Sequence, residues 1–132
     1  MNREIKFRGK SIMNNTCGDW LYSSGIKYGD DVELMYCDED TSEEWNYIDK
    51  ETVGQYTGLH DKNGKEIYEG DIVQGLFADQ EEPEIKGQVI YSNGQASYIV
   101  IASNNDEWEL GYLDNLEVIG NIYDNPELLG GK

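Results

Sequence analysis

Apolar residues alternate with polar residues along most of this 132-residue chain, and this alternation constrains the fold more than any other feature of the sequence. Val32, Leu34 and Tyr36 lie two residues apart, as do Trp20 and Tyr22. Successive side chains of a strand point to opposite faces of a sheet, so this spacing predicts half-buried strands. No window of about eleven residues carries a helical stripe of apolar side chains. We therefore expect an all-β fold with at most short helical turns.

Turn residues predict a hairpin near the middle of the chain. Asn63-Gly64 favours a two-residue type I′ turn, because both central residues of that turn need a positive φ, which Asn and Gly tolerate best. Such a turn would pair residues 59–62 with residues 65–68. Gly70-Asp71 would then redirect the chain into a strand that begins at Ile72.

The carboxy-terminal half shows the strand order of a small barrel. A second turn at Asn93-Gly94 leads into a strand over residues 97–102. An irregular turn over residues 110–116 precedes a last strand over residues 118–123. This order predicts an SH3-like β-barrel.

The length of the chain allows one domain or two small β subdomains. We place an amino-terminal region of β-hairpins or a β-meander at residues 1–65 and the SH3-like barrel at residues 66–132; the alternative is that the two regions form one compact unit. Asn125 as N-cap and Pro126 at the first helical position predict a single helical turn close to the carboxy terminus.

Three ordered segments carry a family resemblance: Gln55–Leu59, Asp61–Lys65 and Ile67–Val73. Two flanking segments, Ile5–Arg8 and Glu117–Leu129, agree with them. Together they resemble the signature of the YopX-like family of phage and prophage proteins. The signature residues, for which we expect structural roles, are Gln55, Tyr56, Thr57, Gly58, Leu59, Asp61, Asn63, Gly64, Ile67, Tyr68, Glu69, Gly70, Asp71, Ile72, Val73, Gly120, Asn121, Asn125 and Pro126.

The resemblance implies a phage or prophage origin and a β-rich fold, and it brings no established activity with it. The sequence departs from the family pattern over residues 75–108, so the resemblance predicts nothing about a function of that part.

Charge is the most unusual bulk property, because the formal net charge is −17. Direct nucleic-acid binding is disfavoured, since a nucleic-acid-binding protein presents a basic patch. The basic residues cluster only near the amino terminus, at Arg3, Lys6, Arg8 and Lys10. We expect these side chains to pair with carboxylates on a neighbouring strand; a nucleic-acid-binding arm is the alternative.

Catalytic residues are not evident in this sequence. His60 is the single histidine, and no nucleophile motif or phosphate-binding loop accompanies it. Glu69 and Asp71 occupy alternate positions and could form a carboxylate pair on one strand face, although they more readily shape the turn at Gly70. We therefore expect no catalytic residue, no cofactor and no enzymatic activity.

A calcium loop is a possible interpretation of the acidic run, because Asp38, Asp40, Ser42 and Asp49 have the relative spacing of calcium ligands. Glu43 stands where such a loop needs Gly, so a solvated acidic loop without a metal is the expectation.

The two cysteines, Cys17 and Cys37, lack the spacing of a zinc site. No apolar run follows the amino terminus, and no segment has the length of a membrane span. We expect reduced thiols and a location in the cytoplasm of a bacterial host.

Aromatic residues exceed what one small core can bury, with ten Tyr and three Trp at positions 20, 45 and 108. Interfaces are enriched in Tyr and Trp. We therefore expect a phage accessory protein that binds a protein partner or assembles with itself. The alternative is an acidic mimic of nucleic acid that occupies a nucleic-acid-binding protein.

Overall fold

The computed structural model of the chain describes residues 4–14, 16–37, 43–77 and 85–129. These residues form β-strands joined by turns and short 3₁₀ helices, so the all-β prediction is confirmed. In chain order the strands are β1 (Phe7–Lys10), β2 (Trp20–Ser23), β3 (Ile26–Tyr28), β4 (Val32–Cys37), β5 (Glu43–Ile48), β6 (Gly54–His60), β7 (Glu66–Tyr68), β8 (Asp71–Phe77), β9 (Ile85–Ser92), β10 (Ser97–Ile101), β11 (Glu107–Glu109) and β12 (Leu113–Asn121). The 3₁₀ helices are η1 (Lys50–Thr52), η2 (Leu110–Tyr112) and η3 (Pro126–Leu129).

The chain divides into two compact units, Met1–Tyr56 and Thr57–Lys132, which we call unit 1 and unit 2. The division falls within β6, whereas the boundary expected near residue 65 lies in the turn before β7.

Unit 1 contains two antiparallel groups of strands. β1 pairs with β2 and with the start of β6, while β3, β4 and β5 form a three-stranded sheet in chain order. The core consists of Val32, Leu34 and Ile48, which are buried and lie on one face of the three-stranded sheet. The alternation of apolar residues on β4 therefore has the structural meaning that the sequence predicts.

Unit 2 is built on a five-stranded antiparallel sheet with the order β11-β10-β9-β8-β12. One buried cluster fills its core: Ile67, Val73, Ile85, Val89, Val100, Leu110, Leu113 and Leu116. Tyr98, Trp108 and Val118 pack against this cluster. β11 and β12 lie at opposite ends of the strand order, so the sheet is open in the part of the chain that the structure describes. The SH3-like barrel stays a prediction.

The central hairpin lies where the sequence places it, but its turn is of a different type. Gly64 has a φ of 84°, whereas Asn63 does not adopt a positive φ. The N–H of Gly64 donates to the carbonyl of Asp61 at 3.0 Å, and the N–H of Asp61 donates to the carbonyl of Lys65 at 2.8 Å. This is a three-residue loop that ends on a left-handed glycine, so the prediction of a type I′ turn is wrong.

The reason for the different turn is the carboxylate of Asp61, which is 7% exposed. Its Oδ1 accepts hydrogen bonds from the N–H groups of Asn63 at 2.8 Å and Lys65 at 2.9 Å. Its Oδ2 accepts one from the N–H of Val118 on β12 at 3.0 Å. An Asp before a turn that binds the backbone two residues on is an Asx turn, and here the same side chain also binds a distant strand.

Three further elements differ from the sequence-based expectation. Short strands β3 and β11 were not predicted. The second hairpin has a four-residue loop between Ser92 and Ser97, which is longer than the Asn93-Gly94 pair that predicted the turn, and Ala96 in it has a φ of 52°. The expected irregular turn over residues 110–116 is only the helix η2, since β12 already starts at Leu113. Two register shifts in β12 break its apolar alternation, which explains why its first half was not recognised as a strand.

The single helical turn expected at Pro126 is confirmed as η3. No helix in the described part of the chain has the length and apolar composition needed to cross a membrane.

Removal of the Asp61 carboxylate should destabilise the fold. Asp61→Ala leaves the N–H groups of Asn63, Lys65 and Val118 without this acceptor, and we expect a loss of about 2–4 kcal/mol in the free energy of unfolding. Urea unfolding of this variant and of Asp114→Ala, which removes an exposed carboxylate of β12, provides the measurement and its control. Equal stability of the two variants would contradict the assigned role.

The acid stability of the protein should depend on the same group. Burial raises the pKa of Asp61, but the hydrogen bonds from the N–H groups of Val118, Lys65 and Asn63 and the charge of Lys65 lower it, and the net pKa is below the ordinary 3.8. The carboxylate therefore contributes stability above pH 3.8, which is lost as the pH falls through the folded-state pKa. As the pH is lowered below 3.8, the free energy of unfolding in urea should fall less for Asp61→Asn than for the wild type. Parallel plots of this free energy against pH for the two proteins would contradict the prediction.

Candidate interaction surface

The turn between β7 and β8 is held by signature residues. Asp71 is 1% exposed, and its Oδ2 accepts a hydrogen bond from the N–H of Tyr68 at 2.8 Å. The N–H of Gly70 donates to the carbonyl of Val89, and the carbonyl of Gly70 accepts from the N–H of Ile122, both at 2.9 Å. This turn therefore joins β9 to the residue that follows β12.

The hypothetical carboxylate pair of Glu69 and Asp71 is not supported by this geometry. Glu69 lies in the turn and Asp71 is the first residue of β8, so the two residues do not share a strand. The left-handed φ of 92° at Gly70 between them breaks the alternation on which the pair depended. Asp71 instead stabilises the turn, because its carboxylate accepts the hydrogen bond from the N–H of Tyr68.

The carboxy-terminal signature residues fix the turn that leads into η3. Oδ1 of Asn121 accepts hydrogen bonds from the N–H groups of Tyr123 and Asp124, both at 2.9 Å. Oδ1 of Asn125 accepts from the N–H of Asn121 at 3.2 Å. A Cβ at Gly120 would lie 2.6 Å from that same Oδ1, so only glycine fits beside Asn125 without a rearrangement. Pro126 then begins η3.

The signature residues of β6 are also structural. Tyr56 is buried, and Gln55 pairs with Phe7 of β1. The hydroxyl of Thr57 donates to the carbonyl of Ile67 on β7 at 2.8 Å and accepts from the N–H of Leu59 at 3.2 Å. β6 and β7 are thus joined by a side-chain hydrogen bond.

Among the described residues, the catalytic candidate His60 and the calcium candidate Asp49 lie on different segments. His60 is exposed at the end of β6. Within the residues that the structure describes, no group of three His, Cys, Asp or Glu side chains could hold a metal ion. Asp49, the last residue of the calcium interpretation, caps η1 by accepting from the N–H of Glu51 at 3.1 Å. Asp38, Asp40 and Ser42 lie outside the described residues.

The two cysteines lie on different segments of unit 1. Cys17 is exposed and has a free thiol, and Cys37 ends β4.

Basic residues near the amino terminus contact aromatic rings. The guanidinium of Arg8 lies 4.5 Å from the ring centroid of Trp20, and Lys10 Nζ lies 5.4 Å from it. Lys6 Nζ lies 5.8 Å from the ring centroid of Tyr56 and forms an ion pair with Glu4 at 3.3 Å. Arg8 is only 4% exposed, so it is not part of an exposed basic arm. Arg3 lies outside the described residues.

Two aromatic side chains that are not fully buried, Trp45 and Tyr47, lie on one face of a sheet in unit 1. Lys27, Glu33 and Tyr47 are cross-strand partners, and so are Met35 and Trp45. These five side chains share the face of the β3-β4-β5 sheet opposite to Val32 and Leu34. We call this surface the Trp45 face.

The Trp45 face combines aromatic area with charge. Lys27 Nζ lies 4.3 Å from the ring centroid of Trp45, which is a cation–π contact, and Tyr47 is 44% exposed. Trp45 and Met35 are half-buried. The position of Lys27 was missed because β3 has only three residues.

Substitution of Gly70 should separate backbone strain from contact. Gly70→Ala places an L residue at a φ of 92° with its Cβ 3.0 Å from Cε2 of Tyr123, so we expect a loss of at least about 1–2 kcal/mol in thermal or urea unfolding. Gly94→Ala is the control, because nothing lies within 4 Å of a Cβ there. Gly64→Ala, at a φ of 84° in open space, should show the strain alone. Equal stability of the variants at positions 70 and 94 would contradict this account.

Comparison with known proteins agrees with the signature. The profile of the family described as YopX protein matches residues 6–130. The crystal structure of protein EF1440 from Enterococcus faecalis is similar, with a TM-score of 0.52 and 22% sequence identity over 97% of this chain and 99% of that chain. At this identity the likeness concerns the fold alone. No curated protein matches the chain. Because the family profile covers nearly the whole sequence, the chain belongs to the YopX protein family.

Proposed function

We propose that this YopX family member is a non-enzymatic phage or prophage accessory protein that acts in the bacterial cytoplasm and binds a protein partner through the Trp45 face. The observation that carries the proposal is the cluster of Trp45, Tyr47 and Met35 on one exposed sheet face. Aromatic residues and Met are enriched at protein interfaces, and Trp and Tyr are frequent among the residues that contribute most binding energy.

The roles of the signature residues support this proposal. Backbone N–H groups of unit 2 donate hydrogen bonds to the side-chain oxygens of Asp61, Asp71 and Asn121. Residues that hold turns in this way are not available to a substrate. Trp45 and Tyr47 have no comparable role in the unit 1 core, which consists of Val32, Leu34 and Ile48 with the residues packed against them.

Two other modes of action predict different salt dependence. A net charge of −17 favours an acidic mimic that occupies a nucleic-acid-binding protein, and such a complex should dissociate at high salt. Contacts made by Trp45, Met35 and Tyr47 of the Trp45 face are largely apolar and should resist salt. Self-assembly would appear as an increase in mass of the purified protein.

Binding of a partner should depend on Trp45 and Tyr47. We expect tagged wild-type protein to retain a partner from host lysate at high salt, whereas Trp45→Ala and Tyr47→Ala should each weaken its capture by roughly tenfold or more. Tyr112→Ala is the matched control, because Tyr112 is 68% exposed and lies in unit 2. Thermal unfolding establishes that each variant is folded, and Tyr47, which is the more exposed of the two, provides the test if Trp45→Ala is unstable.

The proposal fails if both folded variants capture the partner as the wild type does. It also fails if the partner is lost at high salt from the wild type and from the control alike, since that result supports the acidic mimic.

A further inference from the structure

A groove adjoins the Trp45 face in unit 1. It has a volume of about 210 Å³ and is lined by Ile12, Asp30, Asp31, Val32, Tyr47, Ile48, Asp49 and Lys50. We call it the Tyr47 groove. Its exposed apolar side chains are those of Ile12, which is 54% exposed, and Tyr47, which is 44% exposed, whereas the side chains of Val32 and Ile48 belong to the buried core.

The groove keeps its shape through backbone contacts. The N–H of Ile12 donates to the carbonyl of Tyr47 at 3.1 Å, and the N–H of Asp49 donates to the carbonyl of Lys10 at 2.8 Å. Ser11 forms an isolated bridge with Ile48. The segment that carries Ile12 is therefore fixed against the end of β5, and the groove exists before any ligand binds.

Acidic side chains surround this apolar lining. Asp30, Asp31 and Asp49 are all exposed, and Lys50 is the one basic residue among the eight that line the groove. The lining thus carries three acids and one base. An exposed apolar surface with a negative rim favours a ligand that has both an apolar stem and a positive end.

Lys50, one of the lining residues, shows how a cation is held by the segment that precedes Asp30. Lys50 Nζ lies 5.1 Å from the ring centroid of Tyr28 and donates a hydrogen bond to the carbonyl of Gly29 at 3.0 Å. A tyrosine face and a backbone carbonyl therefore hold an ammonium group beside the groove. Tyr47 presents a second tyrosine side chain within the groove.

From the apolar lining, the acidic rim and the second tyrosine, we infer that the Tyr47 groove binds an arginine side chain of a basic segment in the partner protein. The guanidinium is planar, stacks on aromatic rings and binds carboxylates through two parallel hydrogen bonds, while its methylene stem contacts apolar surface. Tyr47, Asp30 or Asp31, and Ile12 supply these three kinds of contact. This inference rests on the proposed function and specifies the chemistry of its partner.

The experiment is a titration of the full-length ¹⁵N-labelled protein with the peptide acetyl-Gly-Arg-Gly-Arg-Gly-amide, followed by backbone amide chemical shifts. We expect saturable shifts at the amides of Asp31, Tyr47 and Lys50. A peptide with citrulline in place of arginine keeps the shape and removes the charge, so it should cause no saturable shift. A peptide with lysine instead should bind less tightly, because lysine lacks the planar fork.

Substitutions of groove residues test whether the arginine peptide binds in the Tyr47 groove. Asp31→Asn should weaken it by about two- to fivefold, as expected for one exposed ion pair. Tyr47→Leu should weaken it by a similar factor of about two to five through loss of the aromatic face. Asp114→Asn, an exposed acid of unit 2, is the matched control and should bind the peptide as the wild type does.

Each other result overturns the inference. It is overturned by equal shifts with the citrulline peptide, by equal affinity for the lysine peptide, by shifts spread over acidic segments of both units, or by absence of saturation. Failure of the proposed function is separate: it appears as unchanged partner capture by Trp45→Ala, a variant that leaves the groove lining intact. If partner capture requires Trp45 but is unaffected by Asp31→Asn, the inference about the groove is wrong and the proposed function is retained.

Discussion

The hydrogen bonds of the Asp61 carboxylate are the constraint on which the arrangement of unit 2 depends. One oxygen holds the turn between β6 and β7, and the other satisfies the N–H of Val118 on β12. β12 is the last strand in the order of the five-stranded sheet, so its outer edge would otherwise present unpaired backbone groups. The N–H of Lys62 donates to the carbonyl of Leu116 at 2.8 Å and satisfies a second group of that edge. A hairpin and the interior of a distant strand are thus held by one short side chain.

Other signature residues use the same physical device. Asp71 and Asn121 accept hydrogen bonds from N–H groups in turns, where the regular pairing of strands ends. Gly70 and Gly120 leave room for the neighbouring Tyr123 and Asn125 side chains. These signature residues hold turns, and the surface that we propose for binding lies on another part of the chain, at Trp45 and Tyr47.

Sequence reasoning predicted the strand content and both hairpins because alternation and turn residues are local signals. The predicted type of the central turn was wrong because the Asp61 carboxylate accepts hydrogen bonds from the N–H groups of Asn63 and Lys65, which the Asn63-Gly64 signal did not include. The burial of that carboxylate against Val118 depends on a strand far away in the chain. The start of β12 was missed because Leu113 and Leu116 are both buried although they are three residues apart, which a bulge permits. In the candidate surface, the two-residue spacing of Trp45 and Tyr47 is a local signal of a shared strand face, but the Tyr47 groove also requires Ile12 and Asp30 to lie against the end of β5. No sequence pattern predicts this tertiary contact between segments that are far apart in the chain.

Site-specific photo-crosslinking tests the central claim most directly. A photoreactive phenylalanine analogue at position 47, compared with the same analogue at position 112, reports which exposed tyrosine position contacts a partner in host cells. The account predicts a discrete crosslinked adduct from position 47 that is absent from position 112. An adduct from position 112 alone, or none from position 47 in a folded protein, would contradict the assignment of binding to the Trp45 face.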